Sequence, residues 1–338
     1  LASKAFAYSV QYDSEILLYF QNLLSPDFPE TFILTGTKIQ QNRYGENPHQ
    51  KSAWYKTSAK GCSSLTLLSG KELSHNNLLD ISSAYQFLVD IPEKYFCVII
   101  KHTNPTGAAV SDDPEEAYLK ALKVNEKSAF GGIVGINAEI NLSLAEVLSQ
   151  TFLEVLLAPA IQPDALEYLR KKKKNLRIVT GEIFPVEDWE VRSIPGGFLL
   201  QNPDIVDDNP QHWQQMSGGP VSEEMMEDLY FAWRVVKNVK SNAVVLVKQK
   251  CTVGIGSGQT SRIDAVQQAI AQAGENARGA VLASEAFFPF PDSVSLSSAH
   301  GISAIVQPGG SVRDEEVIQE ARKWGIPMFF TGRRHFRH

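Results

Sequence analysis

Short runs of consecutive apolar residues recur along the chain, and each is followed by polar or glycine-rich residues and then by a segment long enough for a helix. The clearest runs are Cys97–Ile100, Gly132–Ile136, Ala243–Val247, Gly279–Ala283 and Ala304–Val306. An apolar run without polar alternation is typical of a strand that is buried on both faces. Strands that alternate with helices of ten to fifteen residues predict an α/β fold in which helices cover both faces of a sheet.

The order of these features repeats, which favours two similar units in tandem. In the first unit, the stretch Ser111–Pro114 is expected to open a helix, with Ser111 as its N-cap and Pro114 in the first turn, and a further helix is expected around 144–157. In the second unit, a helix is expected from about Ser261 to Ile270. The repeat is one of pattern and not of sequence identity, so it indicates an internal duplication without proving one.

Composition shifts suggest where these units begin and end. Residues 1–40 predict a lead-in segment with an amphipathic helix, which the stretch Ser25–Pro29 ends. The first unit is expected at 41–200 and the second at 201–338, with a connection rich in Pro, Gly, Asn and Asp at 186–220. The chain begins with Leu rather than Met, so a further domain can precede it in a longer protein.

Bulk properties exclude several classes of protein. The 338 residues carry a formal net charge of −6, which argues against a general nucleic-acid binder but not against a small anionic ligand. Cys62, Cys97 and Cys251 are far apart and odd in number, so they predict reduced thiols and not a disulfide framework or a CxxC metal site. No apolar run reaches the ~20 residues that span a bilayer, and no signal peptide opens the chain. A location in the reducing cytosol is expected.

Lys101 and His102 directly follow the first buried strand. Ligands of open α/β sheets bind beyond the carboxyl ends of strands. A histidine can accept a proton near neutral pH, and a neighbouring ammonium group disfavours the imidazolium form, so this pair suits a general base. An ordinary surface dipeptide explains the pair equally well from these residues alone.

Cationic side chains at both ends of the chain are candidates for binding a phosphate. Arg43 opens the segment Arg43–Gln50, which is dense in hydrogen-bonding groups, and an arginine can bind a phosphate through two nitrogens. A polar turn shaped by Gly45 and Pro48 is the competing interpretation. The segment Arg333–His338 is typical of a disordered basic tail, but the neighbouring phenylalanines favour a tail that is tied to the core.

Two further motifs leave their interpretation open. The segment Gly254–Arg262 contains three glycines before a helix, but it matches neither GxxxxGK[ST] nor GxGxxG, so a nucleotide loop of either type is weakly supported. The run Phe287–Phe290 fits core packing, or alternatively a platform for a flat aromatic ligand.

Taken in order, the motifs RYGENPHQ, LSGKELSHNNLLD, KHTNPTGAA, SAFGG, LLAPA, SNAVV, GIGSGQTSR, AFFPFPDSV and GRRHFRH resemble the AICAR transformylase domain of the bifunctional purine-synthesis family. The resemblance runs from about residue 1 to 338. It implies transfer of a formyl group from 10-formyltetrahydrofolate to the 5-amino group of AICAR, in the synthesis of IMP. It also implies a tandem pair of cytidine-deaminase-like α/β/α units, a homodimer with shared active sites, and an N-terminal IMP cyclohydrolase domain that lies outside these residues.

The resemblance also implies roles for individual residues. His102 matches the proton acceptor, Lys101 the group that stabilises the transition state, and Asn242 a carboxamide that orients the formyl group or the imidazole amide. The AICAR contacts are Arg43, Tyr44, Phe130, Gly131, Glu154, Phe287 and Arg334. The folate contacts are Arg262, Asp292, Ser311 and Val312.

Two other functions remain open at this point. A zinc deaminase would share the implied fold, but it needs HxE and PCxxC motifs to hold the metal, and this chain has neither, so no zinc is expected. A zinc-free nucleotide-binding module would explain the arginines and glycines, but it gives no reason for a Lys–His pair at a strand end. The sequence does not decide whether a monovalent cation is bound.

Overall fold

The computed structural model describes residues 1–24, 28–186, 189–205 and 208–338. The helices are α1 (Ala2–Leu24), α2 (His75–Asp90), α3 (Pro114–Val124), α4 (Glu126–Ala129), α5 (Leu142–Leu148), α6 (Pro163–Lys172), α7 (Glu223–Lys237), α8 (Arg262–Ala273), α9 (Asp292–Ala299) and α10 (Asp314–Trp324). The strands are β1 (Thr37–Asn42), β2 (Ser52–Lys56), β3 (Thr66–Ser69), β4 (Phe96–Lys101), β5 (Asn104–Val110), β6 (Gly132–Ile136), β7 (Leu153–Ala158), β8 (Arg177–Thr180), β9 (Glu190–Ile194), β10 (Gly197–Gln201), β11 (Gln214–Ser217), β12 (Val244–Lys248), β13 (Cys251–Gly256), β14 (Val281–Ser284), β15 (Ala304–Gln307) and β16 (Met328–Phe330).

Twelve strands form one mixed sheet in the order β11-β16-β15-β14-β12-β13-β5-β4-β6-β7-β8-β3. The remaining strands form two antiparallel hairpins, β1 with β2 and β9 with β10. The predicted α/β class is therefore confirmed, with a sheet that mixes parallel and antiparallel pairs.

The two halves of the large sheet repeat the same topology. In the first half, β4 pairs antiparallel with β5 and β6, and β7 and β8 then add in parallel. In the second half, β12 pairs antiparallel with β13 and β14, and β15 and β16 add in parallel. An antiparallel outer strand closes each half, β3 on β8 and β11 on β16. The repeated segments span 66–180 and 214–330, and we refer to them as the first and second units.

The units meet through β5 and β13, which are antiparallel. The second unit is therefore turned by half a rotation relative to the first, so that β4 ends at the edge of the sheet where β12 begins. We call this edge the site edge and the other the opposite edge.

Helices cover both faces of the sheet, as predicted. Successive side chains of a strand point to opposite faces, and β4 shows both packing surfaces. Phe96, Val98 and Ile100 join a core that includes α2 and α7 and runs across both units. Cys97 and Ile99 join a second core with α3, α5 and α6, while α8, α9 and α10 build the equivalent core of the second unit.

Several local predictions were wrong. The strands β5 and β13 were missed because they contain glycines, which are poor strand formers. Gly254 and Gly256 lie inside β13, where an added Cβ would lie 2.0 Å from the carbonyl oxygens of Ala269 and Ala265. These glycines therefore permit close packing of α8 on the strand, and they do not form a ligand-binding turn.

Two helix predictions also need correction. The helix expected around 144–157 ends at Leu148, and β7 follows it. Asp113 rather than Ser111 caps α3, accepting a hydrogen bond from the backbone N–H of Glu116 at 2.9 Å. Ser111 instead bonds to the side chain of Glu116.

The predicted lead-in helix is present as α1, and its residues are mostly exposed. The break predicted at Ser25–Pro29 falls partly on 25–27, which lie outside the described residues. No helix among the described residues is both long and apolar enough to cross a membrane.

Candidate active site

Strand directions bring the residues predicted to form the site to the site edge. Lys101 is the last residue of β4 and lies at this edge. β6 and β7 begin at the same edge; Gly131 directly precedes β6, and Glu154 is the second residue of β7. Asn242 precedes β12 at the same edge. β13, β14, β15 and β16 all end at it, and they are followed along the chain by Arg262, Phe287, Ser311 and Arg334.

The turn between β4 and β5 carries the predicted base. Lys101 and Asn104 are paired across a two-residue turn. His102 and Thr103 form this turn with φ angles of 53° and 63°, in the left-handed region that few residues other than glycine adopt. His102 is exposed, and the half-buried Lys101 donates from Nζ to the carbonyl oxygen of Phe130 at 2.5 Å. The turn therefore holds an imidazole and an ammonium group side by side at the site edge.

The side chain of Asp80, on α2, is hydrogen-bonded to the backbone of this turn. Its Oδ1 accepts a hydrogen bond from the backbone N–H of Thr103 at 2.7 Å. Burial raises the pKa of the Asp80 carboxyl above its ordinary value, although the hydrogen bond from Thr103 and the charge of His102 act in the opposite direction. Sequence reasoning missed Asp80, because a single carboxylate in an amphipathic helix gives no signal.

Glu154 lies beside the same helix. Its Oε2 accepts a hydrogen bond from Nδ2 of Asn77 at 2.9 Å, and a guanidinium nitrogen of Arg177 lies 4.0 Å from it. Phe130 is exposed, and its ring packs on Phe152 with centroids 5.0 Å apart. Glu154 and Phe130 therefore belong to the group that surrounds the Lys101–His102 turn.

The segment that begins with Arg43 is attached to the N-terminus of α2. Nδ2 of Asn76 donates to the carbonyl oxygen of Glu46 at 3.4 Å. Arg43 is exposed, with its guanidinium carbon 5.9 Å from the centre of the half-buried Tyr44 ring. Its charge therefore remains accessible to a ligand at this side of the site edge.

A cleft of about 420 Å³ brings together a second group of predicted residues, from the second unit and from the C-terminal segment that follows it. Its lining includes Asn242, Arg262, Phe287, Asp292 and Arg334. Within the Phe287–Phe290 run, Phe288 is fully buried whereas Phe287 lines the cleft. Core packing is therefore confirmed for Phe288, whereas a platform for a flat aromatic ligand stays a prediction for Phe287.

Arg262 is buried and bonded within the chain. Nη1 and Nη2 bind the two carboxylate oxygens of the fully buried Glu285, and Nη1 also donates to the carbonyl oxygen of Ala243 at 2.8 Å. Nη2 donates in addition to Oδ1 of Asn242 at 2.8 Å. Only Nε has no partner among the described residues. The terminal nitrogens of Arg262 therefore hold Asn242, and Glu285 holds Arg262.

The carboxamide of Asn242 is fixed at both of its atoms. Nδ2 donates to the carbonyl oxygen of Gln259 at 2.8 Å, while Oδ1 accepts from Arg262. One N–H of Nδ2 remains available, so Asn242 is arranged to act as a donor toward the cleft.

The C-terminal residues are tied to the core through Arg337, whose Nη1 donates to Oδ1 of Asn238 at 2.8 Å, and through His335. Its ring is buried, with Nδ1 2.6 Å from a carboxylate oxygen of Asp204 and Nε2 2.9 Å from one of Asp208; the second is a charge contact without hydrogen-bond alignment. Burial lowers the pKa of His335, but the two carboxylates outweigh it and raise the pKa to about 9. Arg334, next to this anchor, is exposed and lies 4.5 Å from the centre of the Phe336 ring. His335 was not predicted, since its partners are remote in sequence.

The two groups of predicted residues are separate within one chain. β4 and β12 are three strand spacings apart, or roughly 14 Å. The residues next to these strands are linked by a hydrogen bond from the backbone N–H of Lys240, before β12, to Oδ1 of Asn104, the first residue of β5, at 3.2 Å. Ser311 and Val312 follow β15 at the site edge, but neither lines the cleft, and Val312 is fully exposed.

The described residues contain no cluster of three or more His, Cys, Asp or Glu that could hold a metal ion. Cys62, Cys97 and Cys251 are free. Burial raises the pKa of Cys62 and Cys251 to about 11 and that of Cys97 further, so these thiols are poorly suited to act as nucleophiles.

Comparison with known proteins places the sequence among purine-synthesis enzymes. The sequence model of a family described as AICARFT/IMPCHase bienzyme matches residues 1–272. The chain is similar to the bifunctional purine biosynthesis protein PurH of Cyanothece sp., with 46% identity over 345 residues, 100% of this chain and 66% of the relative. The PurH proteins of Persephonella marina and Thermoanaerobacter sp. are 47% identical over 349 residues and 46% identical over 340 residues; the matches cover 100% of this chain and 67% and 66% of those relatives. The chain thus spans about two thirds of the length of the curated relatives that it matches.

Proposed function

The chain belongs to the AICARFT/IMPCHase bienzyme family, and from this premise we propose that it transfers the formyl group of 10-formyltetrahydrofolate to the 5-amino group of AICAR. The products would be FAICAR and tetrahydrofolate, in the synthesis of IMP. The observation that carries the proposal is the Lys101–His102 turn at the same sheet edge as the Asn242–Arg334 cleft. The family resemblance predicted from the motifs is confirmed.

The amine of AICAR is a weak nucleophile, because its lone pair is conjugated with the imidazole carboxamide. His102 would remove the proton as nitrogen attacks the formyl carbon, a contribution of about 10²–10⁴-fold for a positioned general base. The exposure of His102 keeps it accessible to substrate. The proton that His102 takes would then return to the departing folate nitrogen when the tetrahedral intermediate collapses.

Lys101 and Asn242 would stabilise the negative charge that develops on the formyl oxygen. One N–H of Lys101 donates to Phe130, which fixes the ammonium group and leaves its two other N–H bonds for substrate. Asn242 offers its free N–H because Arg262 occupies its oxygen. Each well-placed donor of this kind contributes about 3–4 kcal/mol to transition-state stabilisation.

The nucleotide would be bound through its phosphate and its ring. Arg43 and Arg334 are exposed cations at the site edge, suited to bidentate contacts with a phosphate. Phe287 would stack on the imidazole ring, while Tyr44, Phe130, Gly131 and Glu154 would complete the binding of AICAR.

The folate would bind at the second unit. Asp292 lines the cleft, and its exposed carboxylate can accept hydrogen bonds from a pterin. Ser311 and Val312 lie beyond the cleft lining, where they would contact a longer part of the folate. The buried Arg262 supports this side mainly by holding Asn242.

We propose a homodimer with shared active sites, which the spacing of the two groups supports. A base and an oxyanion donor that serve one formyl carbon must both lie about 3 Å from the reacting atoms. His102 follows β4 and Asn242 precedes β12, and these two strands lie roughly 14 Å apart within one chain. The site would therefore be completed by a second copy, with the first unit of one protomer facing the second unit of its partner.

Three further features belong to this proposal. The repeated units are assigned to a tandem pair of cytidine-deaminase-like α/β/α units at 41–200 and 201–338, without zinc and preceded by the lead-in segment 1–40. We place the enzyme in the cytosol. The relatives carry the name bifunctional, and we assign the formyl transfer to this chain and the cyclisation to IMP to the remainder of a full-length protein.

The proposal is tested by mixing the protein with AICAR and 10-formyltetrahydrofolate and following tetrahydrofolate by absorbance. Formation of tetrahydrofolate that depends on AICAR is expected. Binding of the nucleotide without turnover would instead support the zinc-free nucleotide-binding module. Sedimentation at several protein concentrations tests the dimer, and mixing His102→Ala with Asn242→Ala protein tests the shared site, because one intact site should form in each mixed dimer.

A further inference from the structure

The backbone of the Lys101–Asn104 turn is in a conformation that its own residues disfavour. His102 and Thr103 both have left-handed φ angles, a conformation that is strained for residues other than glycine. Two-residue hairpin turns of this kind favour Asn and Gly at their two central positions, which are His102 and Thr103 here. Contacts from elsewhere in the fold must therefore hold it.

Those contacts come from α2. Oδ1 of Asp80 accepts from the N–H of Thr103 at 2.7 Å, and Oγ of Ser83 donates to the carbonyl oxygen of Thr103 at 2.8 Å. Asp80 and Ser83 are three residues apart and thus lie on one face of the helix. Asp80 is half-buried, so its hydrogen bond is partly shielded from water.

The second unit contains the same arrangement at the opposite edge. Gln249 and Lys250 have φ angles of 53° and 51°. Asp228, on α7, accepts from the N–H groups of Gln249 and Lys250 at 2.8 and 2.6 Å. Asp80 and Asp228 each lie six residues after the serine that caps their helix, Ser74 or Ser222.

The correspondence extends to the neighbouring residues. Lys248 donates from Nζ to the carbonyl oxygen of Arg278 at 3.2 Å, as Lys101 does to that of Phe130. Gly131 and Gly279, which follow those carbonyl groups, both have positive φ, of 72° and 78°. The fold thus builds the same carboxylate-supported turn twice, but only the first copy carries an imidazole, since Gln249 stands where the first unit has His102.

We propose that Asp80 is a positioning residue for His102, whose carboxylate holds the left-handed turn that presents the imidazole to substrate. The inference rests on the proposed formyl transfer. Asp80 touches neither substrate nor the reacting atoms and acts through the backbone of the turn. Its equivalent Asp228 holds a turn that carries no base. Replacing Asp228 should therefore affect stability alone, whereas replacing Asp80 should also affect the position of His102.

The experiment compares Asp80→Ala, Asp80→Asn and Asp228→Ala with the parent protein. We expect Asp80→Ala to lower kcat by at least ~10-fold, since a misplacement of ~1 Å can cost about 10²-fold. The KM for AICAR should change little, because the phosphate contacts lie on other segments. Asp80→Asn should restore most of kcat, since its amide oxygen still accepts from the N–H of Thr103. Asp228→Ala should lower the thermal midpoint by a similar amount and leave kcat unchanged.

Hydrogen exchange of the peptide that covers the turn gives a readout independent of activity. Asp80→Ala should speed exchange at Thr103, and Asp80→Asn should largely retain protection. Unchanged exchange or unchanged kcat in Asp80→Ala would overturn the inference, as would equal losses of kcat in Asp80→Ala and Asp228→Ala. An inactive parent protein would instead refute the proposed function, and the exchange data would still decide whether Asp80 holds the turn.

Discussion

Arg262 and Glu285 form a buried, two-point ion pair, and Arg262 extends it to the side-chain oxygen of Asn242. Buried ion pairs are weak evidence for stability, but removing one partner is strongly destabilising because a charge is left without compensation. The same ion pair therefore serves the stability of the second unit and the orientation of Asn242, a candidate catalytic side chain.

A first prediction concerns this connection. Replacing Asn242 by Asp places a carboxylate where the free N–H should meet the developing oxyanion, while the contact with Arg262 is retained. We expect kcat to fall by about 10²–10³-fold, the loss seen when one oxyanion donor is removed. Steady-state kinetics together with the thermal midpoint check this prediction. A normal kcat in a fully folded variant would remove Asn242 from the oxyanion site.

A second prediction concerns His102. Replacing it by Gln copies the residue of the second unit, so the turn should persist while the proton acceptor is lost. We expect kcat to fall by about 10²–10⁴-fold and AICAR to bind with nearly unchanged affinity in calorimetry. Gln249→Ala at the equivalent turn is the matched control and should leave kcat unaltered. A His102→Gln enzyme with near-normal kcat would refute the assignment of the base.

A third prediction concerns the phosphate of AICAR. Arg43→Ala and Arg334→Ala should each weaken nucleotide binding by about 10- to 100-fold, because a hydrogen bond to a charged group is worth about 1.5–3 kcal/mol. Binding of the corresponding nucleoside should be unaffected by either change. Arg333→Ala, an exposed neighbour in the same tail, serves as the control. If the parent protein bound nucleoside and nucleotide equally well, neither arginine would be a phosphate ligand.

A fourth prediction concerns the glycines of β13. Gly256→Ala would place a methyl group 2.0 Å from the carbonyl oxygen of Ala265, which forces α8 away from the strand. We expect the free energy of unfolding to fall by about 1–3 kcal/mol, the usual cost of overpacking. Gly219→Ala, where an added Cβ has no neighbour within 4 Å, should be nearly neutral. Denaturant titration of the two variants measures the difference.

The sequence predicted the strands that are apolar throughout, because burial on both faces leaves a continuous signal. It missed β5 and β13, whose glycines serve packing against helices and weaken the apolar pattern. The Lys101–His102 pair was found because both residues are adjacent in the chain. Asp80, Glu285 and His335 were not found, since each acts on a partner that only the fold brings near, and no local pattern encodes such contacts.

The last prediction concerns the pH dependence of stability at His335. Its pKa is raised from 6.5 to about 9 in the folded protein by Asp204 and Asp208. A raised folded-state pKa means that the folded form binds the proton more tightly than the unfolded chain. The associated stabilisation is complete below about pH 6.5 and is lost as pH rises through about 9. Burial by itself raises the pKa of Asp204, but its contacts with His335 lower the pKa overall, so Asp204 adds a loss of stability at acidic pH.

His335→Gln should therefore be most destabilising near neutral and mildly acidic pH, with a difference from the parent that shrinks steadily toward pH 9. Thermal midpoints measured from pH 5 to 9.5 give this difference. His300, which is exposed and whose Nδ1 lies within hydrogen-bonding distance of the carbonyl oxygen of Leu296, provides the control, and His300→Gln should leave the pH profile of the parent unchanged. Loss of the proton from His335 at high pH should also release its neighbour Arg334. AICAR binding by the parent protein should therefore weaken at high pH. The His335 ring also lies 5.1 Å from the Trp233 ring, centre to centre. A pH-independent difference between His335→Gln and the parent would show that the imidazole anchors the tail by this packing and not by its charge.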